Sequence, residues 1–343
     1  AQIRRYLHAH PELSNEEYET KKYIKEILDM LEIEHFDMLE TGIVATIKGA
    51  KKGKVVLLRA DMDALPIDED VAIEYKSTVK NVMHACGHDG HVAGLLGAAM
   101  ILNELKSNLS GTIKLMFQPA EENQGGAERM IEAGILENPQ VDAAFGLHLW
   151  GPLEADTVHI KPGAIMGAAD FFRFKIIGRG GHAALPQETI DPINLCMQAM
   201  NNMQNIISRR IDPLDPVVLS FCTIHAGEAS NVIPQDIEVN GTIRTLTKES
   251  REAIPQMMEA VLKGICDANG ATYDFDYLPQ YPAVINNIEM TKLVKESTSK
   301  IIGVENVKDL ENPNMGGEDF SYLGEHVPEA LYFYGIRPKD GSR

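Results

Sequence analysis

Residues 83–91 contain three histidines, one cysteine and one aspartate, interrupted by two glycines. Imidazole, thiolate and carboxylate are the ligands that zinc and neighbouring first-row metals prefer. Cys86 and His88 stand two residues apart, so they would point to opposite sides of a helix but to the same side of an extended chain. The pair can bind one metal ion only if the segment is a strand end or a turn. The alternative is that Cys86 is a small buried residue and the histidines are ordinary core or surface side chains.

Two helix starts are predicted from capping signals. Asp89 is the expected N-cap of a helix that begins just after the histidine-rich segment, and this helix N-terminus would favour the thiolate form of Cys86. Near the start of the chain, Ser14 and Glu17 have the spacing of a capping box. The helix after Asp89 carries apolar residues on one face, at Val92, Leu95, Leu96, Ala99 and Leu102.

Size and composition exclude several classes of protein. A chain of 343 residues favours two domains. The net charge of −18 argues against nucleic acid, which requires a basic surface. No apolar run approaches the ~20 residues of a membrane span, and no signal peptide opens the chain. The four cysteines are scattered without a C-x-x-C pair, so we expect no disulfide framework and a reducing, cytoplasmic setting.

Predicted strands alternate with helices in the first half of the chain, which indicates an α/β domain with a mostly parallel sheet. The strands are expected at 43–47, 55–58, 112–117 and 141–147. Polar residues follow three of these strands directly: Asp61, Asp63, Glu121, Glu122 and His148. Open α/β sheets place their functional sites at this carboxyl edge, so the five residues form a candidate site.

After residue 165 the order of predicted elements changes to strand, helix, strand, strand, helix, strand. This order is the split βαβ arrangement of ferredoxin-like α+β domains. The predicted segments are 170–177, 192–208, 217–224, 237–245, 248–268 and 272–277. We therefore expect a catalytic domain formed by residues 1–165 and 280–343, with an α+β domain inserted at 166–279.

The adjacent carboxylates Glu121 and Glu122 are expected to have different roles. If Glu122 binds metal, Glu121 can act as a general base toward an attacking water. The number of candidate ligands suggests two metal ions about 3.5–4 Å apart. The alternative is a solvated acidic pair. Asp61 and Asp63 are either capping residues or carboxylates that hold a ligand histidine.

Residues 178–183, Gly-Arg-Gly-Gly-His-Ala, formally fit a dinucleotide-binding glycine motif. That motif requires a helix that opens at once and an acidic residue after the next strand. Pro186 interrupts the expected helix, and the following helix leads into an antiparallel pair of strands. The pattern therefore argues against a nicotinamide cofactor.

Several motifs in the same order resemble one family of metallo-amidohydrolases nearly end to end. This family includes hippurate hydrolase, N-acetyldiaminopimelate deacetylase, N-acyl-amino-acid deacylases and auxin-conjugate hydrolases, and is similar to aminoacylases and carboxypeptidase G. The motifs lie at 8–13, 59–66, 83–91, 117–122, 146–148, 180–184, 230–234, 241–245 and 317–320.

The resemblance implies two divalent metal ions per subunit, with manganese or zinc expected and cobalt or nickel as alternatives. It implies the metal ligands Cys86, His88, Glu122 and His148. It also implies that Glu121 is the proton acceptor and that Asp63 is an active-site aspartate behind the ligands. In the insert, His182 is expected to stabilise the oxyanion, often from the partner subunit, while Asn231 and Arg244 bind the substrate carboxylate.

The resulting prediction is a metal-dependent amidohydrolase that cleaves N-acyl-L-amino acids, such as N-acetyl or N-benzoyl derivatives. The expected partners are the small substrate and other copies of the chain, in a homodimer or tetramer with a lid and dimerisation insert. No nucleic acid or membrane partner is expected. The alternatives are a dipeptidase or carboxypeptidase, and a non-catalytic metal-binding relative.

Two positions depart from the family pattern. Gln187 stands where relatives usually carry a histidine after Pro186. The family also places a ligand histidine soon after the strand expected at 330–334, whereas the last histidine here, His326, precedes that strand.

Overall fold

The computed structural model describes residues 1–123 and 125–339, which form two compact units. The first unit comprises Ala1–Ile165, Val284–Asn312 and the chain from Asp319 onward. The second comprises Met166–Ala283 and Pro313–Glu318.

The strands and helices are numbered in chain order. The strands are β1 Glu34–Met38, β2 Gly42–Lys48, β3 Lys51–Asp61, β4 Ser110–Gln118, β5 Ala143–Glu154, β6 Val158–Ile160, β7 Gly163–Met166, β8 Ala168–Ile177, β9 Gly181–His182, β10 Val218–His225, β11 Val232–Ile233, β12 Asp236–Thr245, β13 Thr272–Pro279, β14 Val284–Asn286, β15 Val307–Asp309 and β16 Glu329–Arg337. The helices are α1 Gln2–Ala9, α2 Tyr18–Met30, α3 His88–Glu104, α4 Gly126–Glu132, α5 Pro192–Arg209, α6 Lys248–Asn269, α7 Ile288–Ile302 and α8 Ser321–Gly324.

The first unit is built on an eight-stranded sheet with the order β1-β2-β4-β3-β5-β16-β6-β15. Its central strands β4, β3, β5 and β16 are parallel to their neighbours in this group. The predicted α/β class is confirmed. Asp61, at the end of β3, is paired with Gln118, at the end of β4. This register brings the segments that follow β3 and β4 to the same edge of the sheet.

Helices α1, α2 and α3 share a hydrophobic core with the strands of this sheet. The apolar face predicted for α3 is buried at Val92, Leu95, Leu96 and Ala99. The core therefore fixes α3 along its length, and with it the position of His88, its first residue.

The second unit contains an antiparallel sheet with the order β10-β12-β8-β13. Helices α5 and α6 bury their apolar faces against it, in a core that includes Phe172, Phe174, Val239, Met203 and Met258. The chain order β8, α5, β10, β12, α6, β13 with this sheet order is the ferredoxin-like arrangement. The predicted α+β architecture of the insert is confirmed.

The capping predictions for two helices are wrong. α2 begins at Tyr18, and neither Ser14 nor Glu17 caps it: the free N–H groups of Glu19 and Thr20 donate to the Glu12 carboxylate. α3 begins at His88, so Asp89 lies in its first turn and Gly87 occupies the N-cap position. Each of the predicted capping side chains instead forms a hydrogen bond with a residue distant in sequence, which the local sequence does not reveal.

Replacing Gly264 by Ala should stabilise the second unit. Gly264 lies in the interior of α6 and is exposed, and a Cβ at this position would meet no heavy atom of the neighbouring described elements within 4 Å. An exposed helix-interior glycine is roughly 0.5–1 kcal/mol less favourable than alanine. The midpoint of urea unfolding should therefore rise. Gly241→Ala is the matched control with the opposite sign, because its Cβ would lie 2.2 Å from the Ser220 carbonyl oxygen. A lower midpoint for Gly264→Ala would contradict the prediction.

Candidate metal centre

The segment before α3 forms the turn that the spacing of Cys86 and His88 requires. Gly87 has a φ of +91°, in the left-handed region that glycine adopts without strain. This turn places a ligand atom of Cys86, of His88 and of His148 within 4.8 Å of one another.

His148 lies inside β5 rather than after it, which corrects the predicted strand end. Its Nδ1 donates to the Leu149 carbonyl oxygen over 2.7 Å, so Nε2 carries the lone pair. Nε2 lies 3.5 Å from the Cys86 sulfur. Burial lowers the pKa of His148 to about 3, and the nearby His91 contributes in the same direction. The side chain is therefore a neutral imidazole whose Nε2 lone pair faces the Cys86 sulfur, and neutral imidazole is the form that binds metals.

His88 is oriented by Asp63, which lies two residues after the end of β3. Its Nδ1 lies 2.9 Å from the Asp63 carbonyl oxygen and 3.2 Å from Asp63 Oδ1. Its Nε2 is buried and has no hydrogen-bond partner in the described part of the chain. This nitrogen lies 3.5 Å from Asp61 Oδ2, and it faces carboxylate oxygens of Glu121 and Glu122 at 4.0 and 3.9 Å.

The turn that carries Glu121 and Glu122 follows β4 and is tied to the same aspartate. The backbone N–H of Glu122 donates to Asp63 Oδ2 over 3.0 Å, and the Ser14 hydroxyl donates to the same oxygen over 2.6 Å. Asp63 therefore joins β3, α3 and the turn after β4. It belongs to none of the potential metal-binding groups of the described residues, which fits a carboxylate that holds ligands in place.

Burial and charge act in opposite directions in this cluster. Although burial opposes protonation of His88, the carboxylates of Asp61 and Asp63 raise its pKa well above its usual value. Burial raises the pKa of the Glu122 carboxyl and of the Cys86 thiol. The helix N-terminus was expected to favour the Cys86 thiolate, but the loss of hydration outweighs it.

His91, a residue outside the predicted set, supports His148 and is itself held by Asp61. His91 Nδ1 donates to Asp61 over 2.5 Å, and its Nε2 accepts the backbone N–H of Leu149 over 2.8 Å. Since both nitrogens are engaged, His91 holds the backbone N–H of Leu149, the residue whose carbonyl oxygen orients His148. Asp61 is held in turn by Arg59, which also donates to Gln118 and Asp319. The i, i+3 spacing of His88 and His91 could have indicated that they share a helix face.

The remaining predicted site residues lie in the second unit, in two separate places. His182 in β9 pairs with Val232 in β11, and the N–H of Ala183 donates to the Asn231 carbonyl over 3.1 Å. Both His182 and Asn231 are exposed. The turn before His182 leads into β9 rather than a helix, so it has no dinucleotide-binding geometry.

Arg244 lies in the four-stranded sheet instead, near the end of β12, where it pairs with Ala169 and Val218. β12 begins next to the His182 ladder at Asp236, so about eight residues separate the two places, or roughly 26 Å at 3.3 Å per residue. Arg244 is half-buried, and no described residue forms a hydrogen bond or ion pair with its guanidinium. Burial lowers the pKa of this guanidinium.

The donors of the first unit fit divalent metal ions. Thiol, imidazole and carboxylate groups converge on the Nε2 atom of His88, which is buried without a hydrogen-bond partner among the described residues, as is Glu122 Oε1. Buried polar atoms of native proteins are nearly always satisfied, and a bound cation would satisfy these two neighbouring atoms. Soft and borderline donors in this combination favour zinc and neighbouring transition metals.

A sequence model of the peptidase family M20/M25/M40 matches residues 57–342, and the chain belongs to this family. The resemblance to metallo-amidohydrolases inferred from the motifs is thereby confirmed. The thermostable carboxypeptidase 1 of Saccharolobus solfataricus is 43% identical over 98% of this chain and 85% of its own length. The N-acyl-L-amino acid amidohydrolase of Geobacillus stearothermophilus is 46% identical over 82% of this chain and 76% of its own length.

The crystal structure of the YxeP protein of Bacillus subtilis, a dinuclear-metal-binding peptidase of the M20 family, has a TM-score of 0.86 to this chain. The two are 38% identical, over 97% of this chain and 87% of YxeP. The expected enzyme class, a hydrolase of amide bonds, is confirmed, as is dinuclear metal binding at the level of the family. No helix of the described residues is long and apolar enough to cross a membrane.

Proposed function

We propose that this protein is a metal-dependent amidohydrolase that cleaves N-acyl-L-amino acids to an amino acid and a carboxylic acid. The observation that carries the proposal is the pair of adjacent carboxylates, Glu121 and Glu122, facing the Nε2 of His88, which forms no hydrogen bond with a described residue. One carboxylate can then hold metal beside Cys86 and His148, while its neighbour remains available to move a proton.

The proposed metal ligands are Cys86, His88, Glu122 and His148, which would hold two divalent ions, with manganese or zinc expected. When bound, such ions lower the pKa of water and polarise the scissile carbonyl. The carbonyl oxygen of Asp63 orients His88 through a hydrogen bond, and the carbonyl oxygen of Leu149 orients His148 in the same way. This support keeps the ligand nitrogens in the required orientation.

Glu121 is the proposed general base and acid. Its carboxylate would take a proton from the attacking water and then give that proton to the leaving amide nitrogen. The residue is 6% exposed, so its carboxylate works in a largely dehydrated environment. A proton carrier shielded from solvent in this way does not lose the proton to bulk water between the two transfers.

The second unit is proposed to supply the oxyanion donor His182 and the carboxylate-binding residues Asn231 and Arg244. Since roughly 26 Å of β12 separates Arg244 from the His182 ladder, one N-acyl amino acid cannot contact both places in a single chain. We therefore assign the two places to different active sites of a homodimer, in which the insert of each subunit completes the site of the other.

A dipeptidase or carboxypeptidase is the second candidate, because a relative with 43% identity is named a carboxypeptidase. The two candidates differ only in the group on the acyl side of the cleaved amide. N-acetyl-, N-benzoyl- and dipeptide substrates should be compared, with Mn²⁺, Zn²⁺ and Co²⁺ each added to metal-free protein. Higher kcat/KM for dipeptides would reverse the assignment. Absence of metal-dependent turnover on the whole panel would favour a non-catalytic relative.

Thiol-modifying reagents should modify Cys86 in the metal-free protein, and bound metal should protect it. The reason is that coordination withdraws electron density from the sulfur and shields it from the reagent, which lowers its nucleophilicity. Exposed Cys222 serves as an internal control that should react equally in both states, while Cys196 and Cys266 are buried. Peptide mapping gives the rate at each residue. Equal rates at Cys86 with and without metal would remove it from the ligand set.

The compartment is proposed to be the cytoplasm. All four cysteines are free thiols, which suits a reducing environment. The proposed partners are the small substrate and a second copy of the chain.

A further inference from the structure

Glu17 is a buried carboxylate that neither the metal site nor the capping of α2 employs. It is 0% exposed, and it forms no capping hydrogen bond although it occupies the N-cap position of α2. Burial raises the pKa of its carboxyl. A charged side chain is seldom buried in this way unless it is paired by specific hydrogen bonds.

The partners of Glu17 come from two other parts of the first unit. One carboxylate oxygen accepts the backbone N–H of Ala120 over 2.9 Å. The other accepts the Thr41 hydroxyl over 2.7 Å. Ala120 directly precedes Glu121 and has a φ of +54°, a left-handed conformation that is strained for a residue with a side chain. Such a conformation persists only where surrounding contacts hold it.

A second carboxylate holds the same turn from the other side of Glu121. The N–H of Glu122 donates to Asp63 Oδ2 over 3.0 Å. The two residues on either side of Glu121 therefore each donate their backbone N–H to a buried carboxylate, Ala120 to Glu17 and Glu122 to Asp63. The Ala120 carbonyl also accepts the N–H of Gly126 over 3.1 Å.

We propose that Glu17 is a positioning residue for Glu121: it holds the strained Ala120 peptide and thereby, together with Asp63, aims the catalytic carboxylate. This inference rests on the proposed function of Glu121. The general base must lie within hydrogen-bond reach of the proton it takes, and a displacement of about 1 Å can lower the rate ~10²-fold. Glu17 touches no reacting atom and acts only through the backbone of the turn.

Three variants test the hydrogen bond rather than the charge. In Glu17→Gln, the side-chain carbonyl can still accept the Ala120 N–H and the amide can donate to Thr41, so kcat should stay within about threefold of the wild-type value. In Glu17→Met, which has similar length and no acceptor, kcat should fall about 10²-fold while KM changes less than about threefold. Glu12→Ala is the matched control, because Glu12 caps the same helix without contacting the turn. It should lower the melting temperature but leave kcat within about threefold.

Amide hydrogen exchange at Ala120 gives a readout that does not depend on activity. Protection of this amide should be lost in Glu17→Met and retained in Glu17→Gln and Glu12→Ala. If Glu17→Met does not fold, Glu17→Asp replaces it: the side chain is one methylene shorter and cannot reach both partners, so protection should fall and kcat should drop about tenfold.

Normal kcat and normal Ala120 protection in the folded Met or Asp variant would overturn the proposal. An equal loss of kcat in Glu12→Ala would also overturn it, because the effect would then come from α2 as a whole. Failure of the proposed function looks different: the wild-type protein would show no Glu121-dependent turnover, while Glu17→Met would still lose protection at Ala120.

Discussion

Replacing Glu121 by Gln is expected to lower kcat by at least ~10²-fold, the lower range for general acid–base catalysis. The amide is nearly isosteric with the carboxylate but cannot accept the proton of the attacking water at neutral pH. The fold and the bound metal should be retained, because the proposed ligand of this turn is the neighbouring residue, Glu122. Steady-state kinetics on N-acyl amino acids measures the loss.

Glu122→Gln is the matched control for Glu121→Gln. It removes a proposed ligand rather than the base, so it should lower metal affinity as well as turnover. The chain contains a single tryptophan, Trp150, whose ring lies 5.3 Å from the ring of His148. Quenching of its fluorescence by Co²⁺ should therefore report metal binding in each variant. Near-normal turnover in Glu121→Gln would remove this residue from its role as the base, and loss of metal would make it a ligand.

His182→Ala is expected to lower kcat by roughly 10²–10³-fold, the effect of removing one oxyanion donor. Metal content should not change, because His182 lies in the second unit and all proposed ligands lie in the first. The stability of the fold should also change little, since the side chain is exposed and its only described hydrogen bond joins Nδ1 to the nearby Ala184 N–H. Kinetics and metal analysis on the same preparation test both points.

Mixing the two inactive proteins, Glu121→Gln and His182→Ala, tests whether the histidine acts across a dimer. A heterodimer would contain one site with both the wild-type base and the wild-type histidine, so part of the activity should return. Mixing Glu121→Gln with Glu122→Gln is the control without complementation, because both changes fall in the first unit. Full activity of His182→Ala alone would end the oxyanion role. Failure to complement despite demonstrated subunit exchange would place His182 in the site of its own subunit.

The sequence by itself determined the architecture of both units. Burial of apolar side chains imposes a period of 2 on strands and 3.6 on helices, and this local periodicity marked nearly every long element. It also determined the ligand candidates, because Cys86 and His88 lie two residues apart and Glu121 and Glu122 follow a strand directly. The parallel strand order then brings such strand ends to one edge of the sheet.

Only the tertiary structure decided the roles of residues whose partners are distant in sequence. Ser14 and Glu17 resembled a capping box, but their partners are Asp63 and Ala120, which no local pattern connects to them. The register of β12 separates Arg244 from the strand pair next to Asn231, although the motifs predict that both residues bind the substrate carboxylate. The protonation of Cys86 also depended on packing, because the dehydration that raises its pKa comes from groups assembled by the fold. Periodic burial is encoded locally, whereas hydrogen-bond partners and dehydration arise only when distant segments meet.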